Sequence, residues 1–152
     1  MNKIQLLAIL FCVCVSNIDY KVDSLLSIMT LDEKVGQMTQ VEMRFIEPVD
    51  IKDLHIGSLL SGGGGVPNLS TISKNMKNEL DNSPESWLSM YNAYQDYALD
   101  SRLGIPLIYG IDAVHGHNNV YGATIFPHNI GLGCSMDSDL VERVSYATSL
   151  EV

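Results

Sequence analysis

The chain has 152 residues, of which 46% are hydrophobic and 18% are charged, a balance typical of a globular protein rather than a disordered one. Its 18 acidic and 9 basic side chains give a formal net charge of -9. Such an acidic balance provides no electrostatic basis for binding a phosphate backbone or an anionic membrane, so neither nucleic acid nor a membrane is expected as a partner.

The N-terminus has the pattern of a secretory signal peptide. Lys3 precedes the apolar run Leu6–Val15, and Cys14-Val15-Ser16 supplies small residues at the usual cleavage spacing. The apolar run is too short to cross a bilayer as a helix. We therefore predict a signal peptide at residues 1–16 and targeting to the secretory pathway. The alternative is a frayed apolar N-terminus of a cytosolic protein.

The cysteines and a glycosylation motif also bear on whether the protein is secreted. Cys12 and Cys14 lie inside the predicted signal peptide, so only Cys134 remains and an internal disulfide is not expected. Cys134 either pairs with a cysteine outside these residues or is a small buried side chain, and the second reading is favoured. Asn68-Leu69-Ser70 is a glycosylation sequon in a loop rich in glycine and serine, which is consistent with secretion.

Helical spacing and capping signals predict several helices. Residues Val22–Met29 form a short amphipathic helix in this prediction, and a second helix begins at Thr30, where Thr30-Leu31-Asp32-Glu33 has the capping-box pattern. A longer helix begins at Ser83-Pro84, with serine as the N-cap and proline at the first helical position. A last helix begins near Asp137-Ser138, which leaves Asp32, Glu33 and Asp137 in capping or surface positions.

The helix that begins at Ser83 carries an aromatic stripe. Its members lie on one face: Trp87, Met90, Tyr91, Tyr94 and Ala98. The stripe is either a platform on which sugars stack or part of the core, and the helical spacing favours the core.

Two short apolar runs, Ile56–Leu60 and Ile105–Ile111, are predicted to be buried strands. Pro48 is expected to break the structure before the first, and the segments Thr124–Pro127 and Ile130–Gly133 are expected to be irregular. Strands that alternate with helices predict an α/β fold with parallel strands. Two strands do not make a stable parallel sheet with both faces covered, so we expect the chain to be part of a larger domain.

Four glycines, Gly62–Gly65, follow the first strand and raise the question of a phosphate-binding loop. A Lys-Ser or Lys-Thr pair does not follow them, and a helix does not begin directly after them. A flexible loop at the end of a strand is therefore predicted.

The second strand ends in a polar cluster. Asp112, His115, His117 and Asn118-Asn119 follow the apolar run directly, and buried polar groups at a strand end usually serve a ligand or a hydrogen-bond network. Asp112, His115 and His117, with His128 as a fourth member, resemble a metal-ligand set, but their spacing alone does not define one. We predict neither a metal nor a cofactor.

The residues alone do not predict a catalytic group. Hydrolysis by paired carboxylates needs two acids on either side of the scissile bond, and the sequence offers Asp112 no convincing partner. The sequence around the serines lacks a nucleophile elbow, and the surroundings of Cys134 do not indicate a reactive thiol. Asp112 is therefore a candidate for ligand contact rather than for catalysis.

The segment Leu103–Gly133, which includes GIDAVHGHNNVYGATIFPHNIGLG, closely resembles glycoside hydrolase family 3, in its β-glucosidase and exo-β-glucanase branch. Three further segments agree in the same order, namely Leu25–Gln40, Ile56–Gly65 and Trp87–Arg102. The resemblance implies that residues 22–152 are the N-terminal portion of a (β/α)₈ TIM-like barrel, incomplete in this chain.

The resemblance also implies an activity. Members of the family are retaining enzymes that release glucose from the non-reducing ends of β-glucosides or β-glucans, with an aspartate nucleophile and a glutamate acid/base. Neither catalytic residue has a match here, so none is predicted and the isolated chain is expected to be inactive. Asp112 matches the family aspartate that hydrogen-bonds hydroxyls of the terminal glucose. His115, His117 and Asn118 match the same motif and are expected to be structural.

The implied substrate is a β-glucoside or β-glucan, and the implied location is extracellular or lysosomal. Two alternatives remain open from the sequence. One is a truncated, non-catalytic product without hydrolase activity. The other is a small metal-dependent hydrolase that uses Asp112, His115 and His117.

Overall fold

A computed structural model describes residues 18–62, 66–67 and 82–152. The predicted signal peptide, the sequon at Asn68 and three of the four loop glycines lie outside these residues. The elements follow one another as α1 (Ile18–Ile28), α2 (Leu31–Gln37), β1 (Gln40–Glu42), a 3₁₀ turn (Met43–Phe45), α3 (Pro48–Asp53), β2 (Ser58–Ser61), α4 (Pro84–Leu99), β3 (Ile108–Ile111), α5 (Asn129–Cys134) and α6 (Ser138–Glu151).

The strands form a parallel sheet in the order β1-β2-β3. Ser58 of β2 pairs with Gln40 of β1 on one side and with Ile108 of β3 on the other. The central strand also carries Leu59, which is completely buried. The predicted α/β class with parallel strands is confirmed. β1 was not predicted, because a three-residue strand with a polar residue at each end has no periodic signal.

The core lies between the sheet and α4, and α3 packs against the same helix. Its buried side chains are Met43, Ile46, Ile51, Ile56, Leu59, Trp87, Met90, Tyr94, Ala98 and Leu107. The Tyr94 hydroxyl donates a hydrogen bond to the Ile46 carbonyl oxygen at 3.0 Å, and burial raises the pKa of Tyr94 to about 12. The aromatic stripe is therefore core, as favoured above, with Tyr91 half-buried at its margin.

Three predicted helix starts are confirmed by their capping contacts, whereas the first helix begins at Ile18 rather than at Val22. At α2, Thr30 Oγ1 accepts a hydrogen bond from the Glu33 amide at 3.2 Å, and Glu33 Oε2 accepts one from the Thr30 amide at 2.8 Å. Ser83 caps α4 through the Ser86 amide. Asp137 caps α6, because its Oδ1 accepts a hydrogen bond from the Leu140 amide at 2.9 Å. Each contact satisfies a backbone donor that the first helical turn leaves open.

Four sequence-based expectations were wrong. The second predicted strand is not buried, because β3 begins at the exposed Ile108 and its other residues are half-buried. Pro48 does not break the structure but begins α3, since the first helical position does not need a backbone N–H. Residues Asn129–Cys134 form α5 instead of an irregular segment, because His128 Nδ1 accepts the Ile130 amide at 3.2 Å and caps the helix. Cys134, at the end of that helix, is exposed rather than buried.

Glu33 has a second partner that the capping pattern did not predict. Arg102, which follows α4, donates from Nε to Glu33 Oε1 at 2.7 Å and from Nη2 to Glu33 Oε2 at 2.5 Å. The same guanidinium donates to the Ile28 carbonyl oxygen at 2.9 Å. Only 5% of the Glu33 side chain is exposed, so it is not a surface residue. The ion pair joins α2 to the turn between α4 and β3.

We predict that Glu33 makes the fold sensitive to acid. The hydrogen bonds from Arg102, supported by the Thr30 amide, lower the pKa of Glu33 from 4.5 to about 2. Because the folded-state pKa is the lower one, the carboxylate stabilises the fold above about pH 4.5, and this contribution is lost as the pH falls toward 2. Glu33→Gln should be less stable at neutral pH and should lose less stability over that acid range.

Urea unfolding followed by circular dichroism at a series of pH values measures this difference. Asp32→Asn is the matched control, since Asp32 is exposed and adjacent in the sequence. Equal acid dependence in the wild type and Glu33→Gln would contradict the assignment.

Candidate functional site

The carboxyl ends of the three parallel strands lie at one edge of the sheet, and Asp112 is located there. Its amide donates a hydrogen bond to the carbonyl oxygen of Ser61, the last residue of β2, at 3.0 Å. The next amide, of Ala113, donates to the Ile111 carbonyl oxygen at 3.1 Å. These bonds fix the backbone of Asp112 against the end of β2, while its side chain remains exposed.

Glu42, the last residue of β1, and Arg44, two residues later, lie at the same edge. Arg44 donates to the Glu42 carboxylate from its Nε at 2.8 Å and from its backbone amide at 2.9 Å. Gly62, which follows β2, is next to this pair: a Cβ placed on it would lie 3.7 Å from Glu42 Oε1 and 3.7 Å from Arg44 Nη2. The edge thus presents an ion pair, a glycine and the Asp112 carboxylate at the ends of neighbouring strands.

His115 and His128 contact each other and use their rings to hold the backbone. His115 Nδ1 lies 3.2 Å from the Phe126 carbonyl oxygen, and because a carbonyl only accepts, this nitrogen carries the proton. His128 Nδ1 accepts the Ile130 amide, so its proton is on Nε2. The two rings meet edge to face at a centroid distance of 5.1 Å.

His117 lies further along the same segment and is buried, with 6% of its surface exposed. Its ring meets the edge of Trp87 at a centroid distance of 6.1 Å. Burial lowers the pKa of His117, with a smaller opposing effect from the Glu151 carboxylate, so the neutral ring is favoured. The side-chain amide of Asn118 donates to the Asn119 side-chain oxygen at 3.3 Å.

The metal-ligand interpretation of this segment does not find support in the geometry. Among residues 18–62, 66–67 and 82–152, the His, Cys, Asp and Glu side chains do not form any group of three or more that could hold a metal ion. Over the same ranges, none of the helices is both long and apolar enough to span a bilayer.

Asp112 lies at a strand end, as its sequence pattern predicts, whereas Glu42 and Arg44 were not predicted as site residues. Their signal was weak because the strand that ends at Glu42 was itself not predicted. A carboxylate two residues before an arginine is the one local pattern that indicates an ion pair there.

Comparisons with known proteins agree on one family. The sequence profile of the glycosyl hydrolase family 3 N terminal domain matches residues 30–152. The lysosomal beta glucosidase of Dictyostelium discoideum is 34% identical over 145 residues, which cover 86% of this chain and 17% of that protein. The periplasmic beta-glucosidase of Salmonella typhimurium is 29% identical over 138 residues, covering 88% of this chain and 14% of that protein.

Among solved structures, the exo-1,3/1,4-beta-glucanase (EXOP) from a Pseudoalteromonas species superposes with a TM-score of 0.69 at 36% identity, over 88% of this chain and 16% of that one. The chain thus spans less than a fifth of the length of these relatives. The expected fold class is confirmed: β1 to β3 and their helices are the first part of a (β/α)₈-type barrel. The chain belongs to glycosyl hydrolase family 3.

Proposed function

We propose that a protein containing this chain hydrolyses terminal, non-reducing β-D-glucosyl residues of β-glucosides or β-glucans by a retaining mechanism. The observation that carries the proposal is the position of Asp112, an exposed carboxylate fixed at the carboxyl edge of the parallel sheet. Active sites of barrel enzymes are built at this edge. The β-glucosidase and beta-glucanase names of the relatives support the substrate class.

In this proposal Asp112 binds the terminal glucose. A carboxylate has two oxygens and accepts hydrogen bonds only, so it suits two neighbouring sugar hydroxyl groups that both donate. Such charge-assisted O–H···O⁻ bonds are short, roughly 2.5–2.7 Å, and are about twice as strong as neutral ones. The backbone bond from the Asp112 amide to Ser61 holds the backbone of Asp112 in place before the sugar arrives.

The catalytic carboxyl groups do not come from the described part of this edge. Retaining hydrolysis needs two carboxyl groups roughly 5–5.5 Å apart. The other carboxylate at the described edge, Glu42, is the last residue of β1, which is two strand spacings, about 9.5 Å, from β3. It is also occupied by two hydrogen bonds from Arg44. We infer that Asp112 and Glu42 do not act as the catalytic pair.

We further propose that residues 22–152 are one portion of the barrel domain and that residues 1–16 direct the protein into the secretory pathway. The relatives named for the lysosome and the periplasm support a compartment outside the cytosol.

We predict that Asp112→Asn weakens the binding of methyl β-D-glucopyranoside by about tenfold or more, since one acceptor oxygen becomes a donor and the charge is lost. Titration of the chain with the glucoside, followed by ¹H–¹⁵N spectra, measures the affinity. Asp96→Asn is the control, because Asp96 is an exposed carboxylate on α4, away from the strand ends. Equal affinities of the wild type and Asp112→Asn would contradict the role of Asp112.

We also predict that the 152-residue chain does not hydrolyse an aryl β-glucoside. The reason is that the family's nucleophile and acid/base have no match in its sequence. Release of the coloured aglycone measures turnover. Activity that survives purification and disappears in Asp112→Ala would show that the chain has a catalytic site of its own.

A further inference from the structure

The segment between β3 and α5 carries Asp112 and is here called the Asp112 loop, residues 112–127. Its base is closed by two hydrogen bonds between the same two residues. The Phe126 amide donates to the His115 carbonyl oxygen at 2.9 Å, and His115 Nδ1 donates to the Phe126 carbonyl oxygen at 3.2 Å. The closure begins three residues after Asp112, so the closed base of the loop is near the Asp112 carboxylate in the sequence.

The Asp112 loop is also bound to α6, through hydrogen bonds from Thr124 to the carboxylate of Glu151. Glu151 accepts the Thr124 amide at 3.0 Å on Oε2 and at 3.1 Å on Oε1, and it accepts the Thr124 hydroxyl at 2.8 Å on Oε1. Hydrogen bonds to an ionised acceptor are stronger than neutral ones. Thr124 therefore has both of its donors bound by one side chain of another element.

Gly116, which lies four residues after Asp112, contacts Thr124, the loop residue that Glu151 binds. Its backbone has a φ of +74°, and a Cβ there would collide with the Thr124 carbonyl oxygen. The backbones of Gly116 and Thr124 therefore pack directly against each other. The Asn118 amide also donates to the Gly116 carbonyl oxygen at 2.8 Å, which holds the turn in this shape.

We propose that Glu151 is a positioning residue: by binding Thr124 it fixes the Asp112 loop and thereby the direction of the Asp112 carboxylate. The inference rests on the proposed function, because the direction matters for a sugar that Asp112 binds. Glu151 does not touch the sugar in this proposal. It acts through Thr124, Gly116 and the closure at His115.

The test compares Glu151→Ala, which removes all three hydrogen bonds, with Thr124→Val, which replaces only the hydroxyl by a methyl group of similar size. Thr124→Ser keeps the hydroxyl and is the rescuing variant. Glu142→Gln is the control, because Glu142 is an exposed carboxylate on the same helix. ¹H–¹⁵N spectra report the amides of Asp112 and Ala113, and the same titration with methyl β-D-glucopyranoside reports affinity.

We expect Glu151→Ala to shift the Asp112 and Ala113 amide signals and to weaken glucoside binding by about tenfold. Thr124→Val should give a smaller change in the same direction, whereas Thr124→Ser and Glu142→Gln should resemble the wild type. A merely stabilising role would lower the unfolding midpoint without moving these amide signals at a temperature where the chain is folded.

The proposal is overturned if the Asp112 and Ala113 signals of both Glu151→Ala and Thr124→Val coincide with those of the wild type. Should Glu151→Ala fail to fold, the comparison of Thr124→Val with Thr124→Ser decides alone. A failure of the proposed function looks different: the wild type would then not bind the glucoside more tightly than Asp112→Asn, while the amide shifts would still report whether Glu151 positions the loop.

Discussion

The pairing of β2 with a parallel neighbour on each side is the constraint on which the rest of the structure depends. Parallel strands end at the same edge of the sheet. The last residue of β1 and the residues that follow β2 and β3 therefore lie at one edge, although they are far apart in the sequence. Glu42, Gly62 and Asp112 are brought together in this way. The helix α4 packs against the apolar face of the sheet, and the core lies between them.

The loop after β3 shows how a polar segment is tolerated next to a core. His115 and His128 each use Nδ1 for a backbone group, and His117 is buried in its neutral form against Trp87. Polar groups buried without partners destabilise a loop. The bond from His115 offsets part of that cost, whereas the buried His117 Nδ1 has no hydrogen-bond partner among the described residues. Asp112 differs from His115 and His117 because it is exposed, which is consistent with the proposed contact to a ligand.

The sequence predicts the elements whose signals are local. The capping box at Thr30, the serine and proline that begin α4, and the N-cap Asp137 are each read from neighbouring residues, and all are present. The position of Asp112 can also be predicted from its neighbours, because an apolar run that is followed by polar residues indicates the end of a strand. Family resemblance added the barrel, which two short strands could not establish.

Other features depend on residues that are distant in the sequence. β1 is too short for a periodic pattern, and α5 lies in a segment of glycine and apolar residues whose stabilising cap is the unusual His128. The partner of Glu33 is Arg102, and the partner of Thr124 is Glu151, and neither pair has a sequence signature. Their geometry exists only after the sheet has brought the elements together.

The pairing of β2 with β1 and its pairing with β3 differ in the chain entropy that is lost when each forms. The segment that separates Gln40 from Ser58 is short, whereas the one between Ser58 and Ile108 is nearly three times as long. Closing the longer loop costs about 1 kcal/mol more, and this pairing is the one that carries Asp112. The bond from Arg102 to Glu33 ties the chain just before β3 back to α2, and the Gly36 carbonyl oxygen of α2 accepts the amide of Gly57, the residue before β2, at 2.9 Å. It therefore shortens the free length that β3 must close, so this ion pair helps to assemble the edge of the sheet at which Asp112 lies.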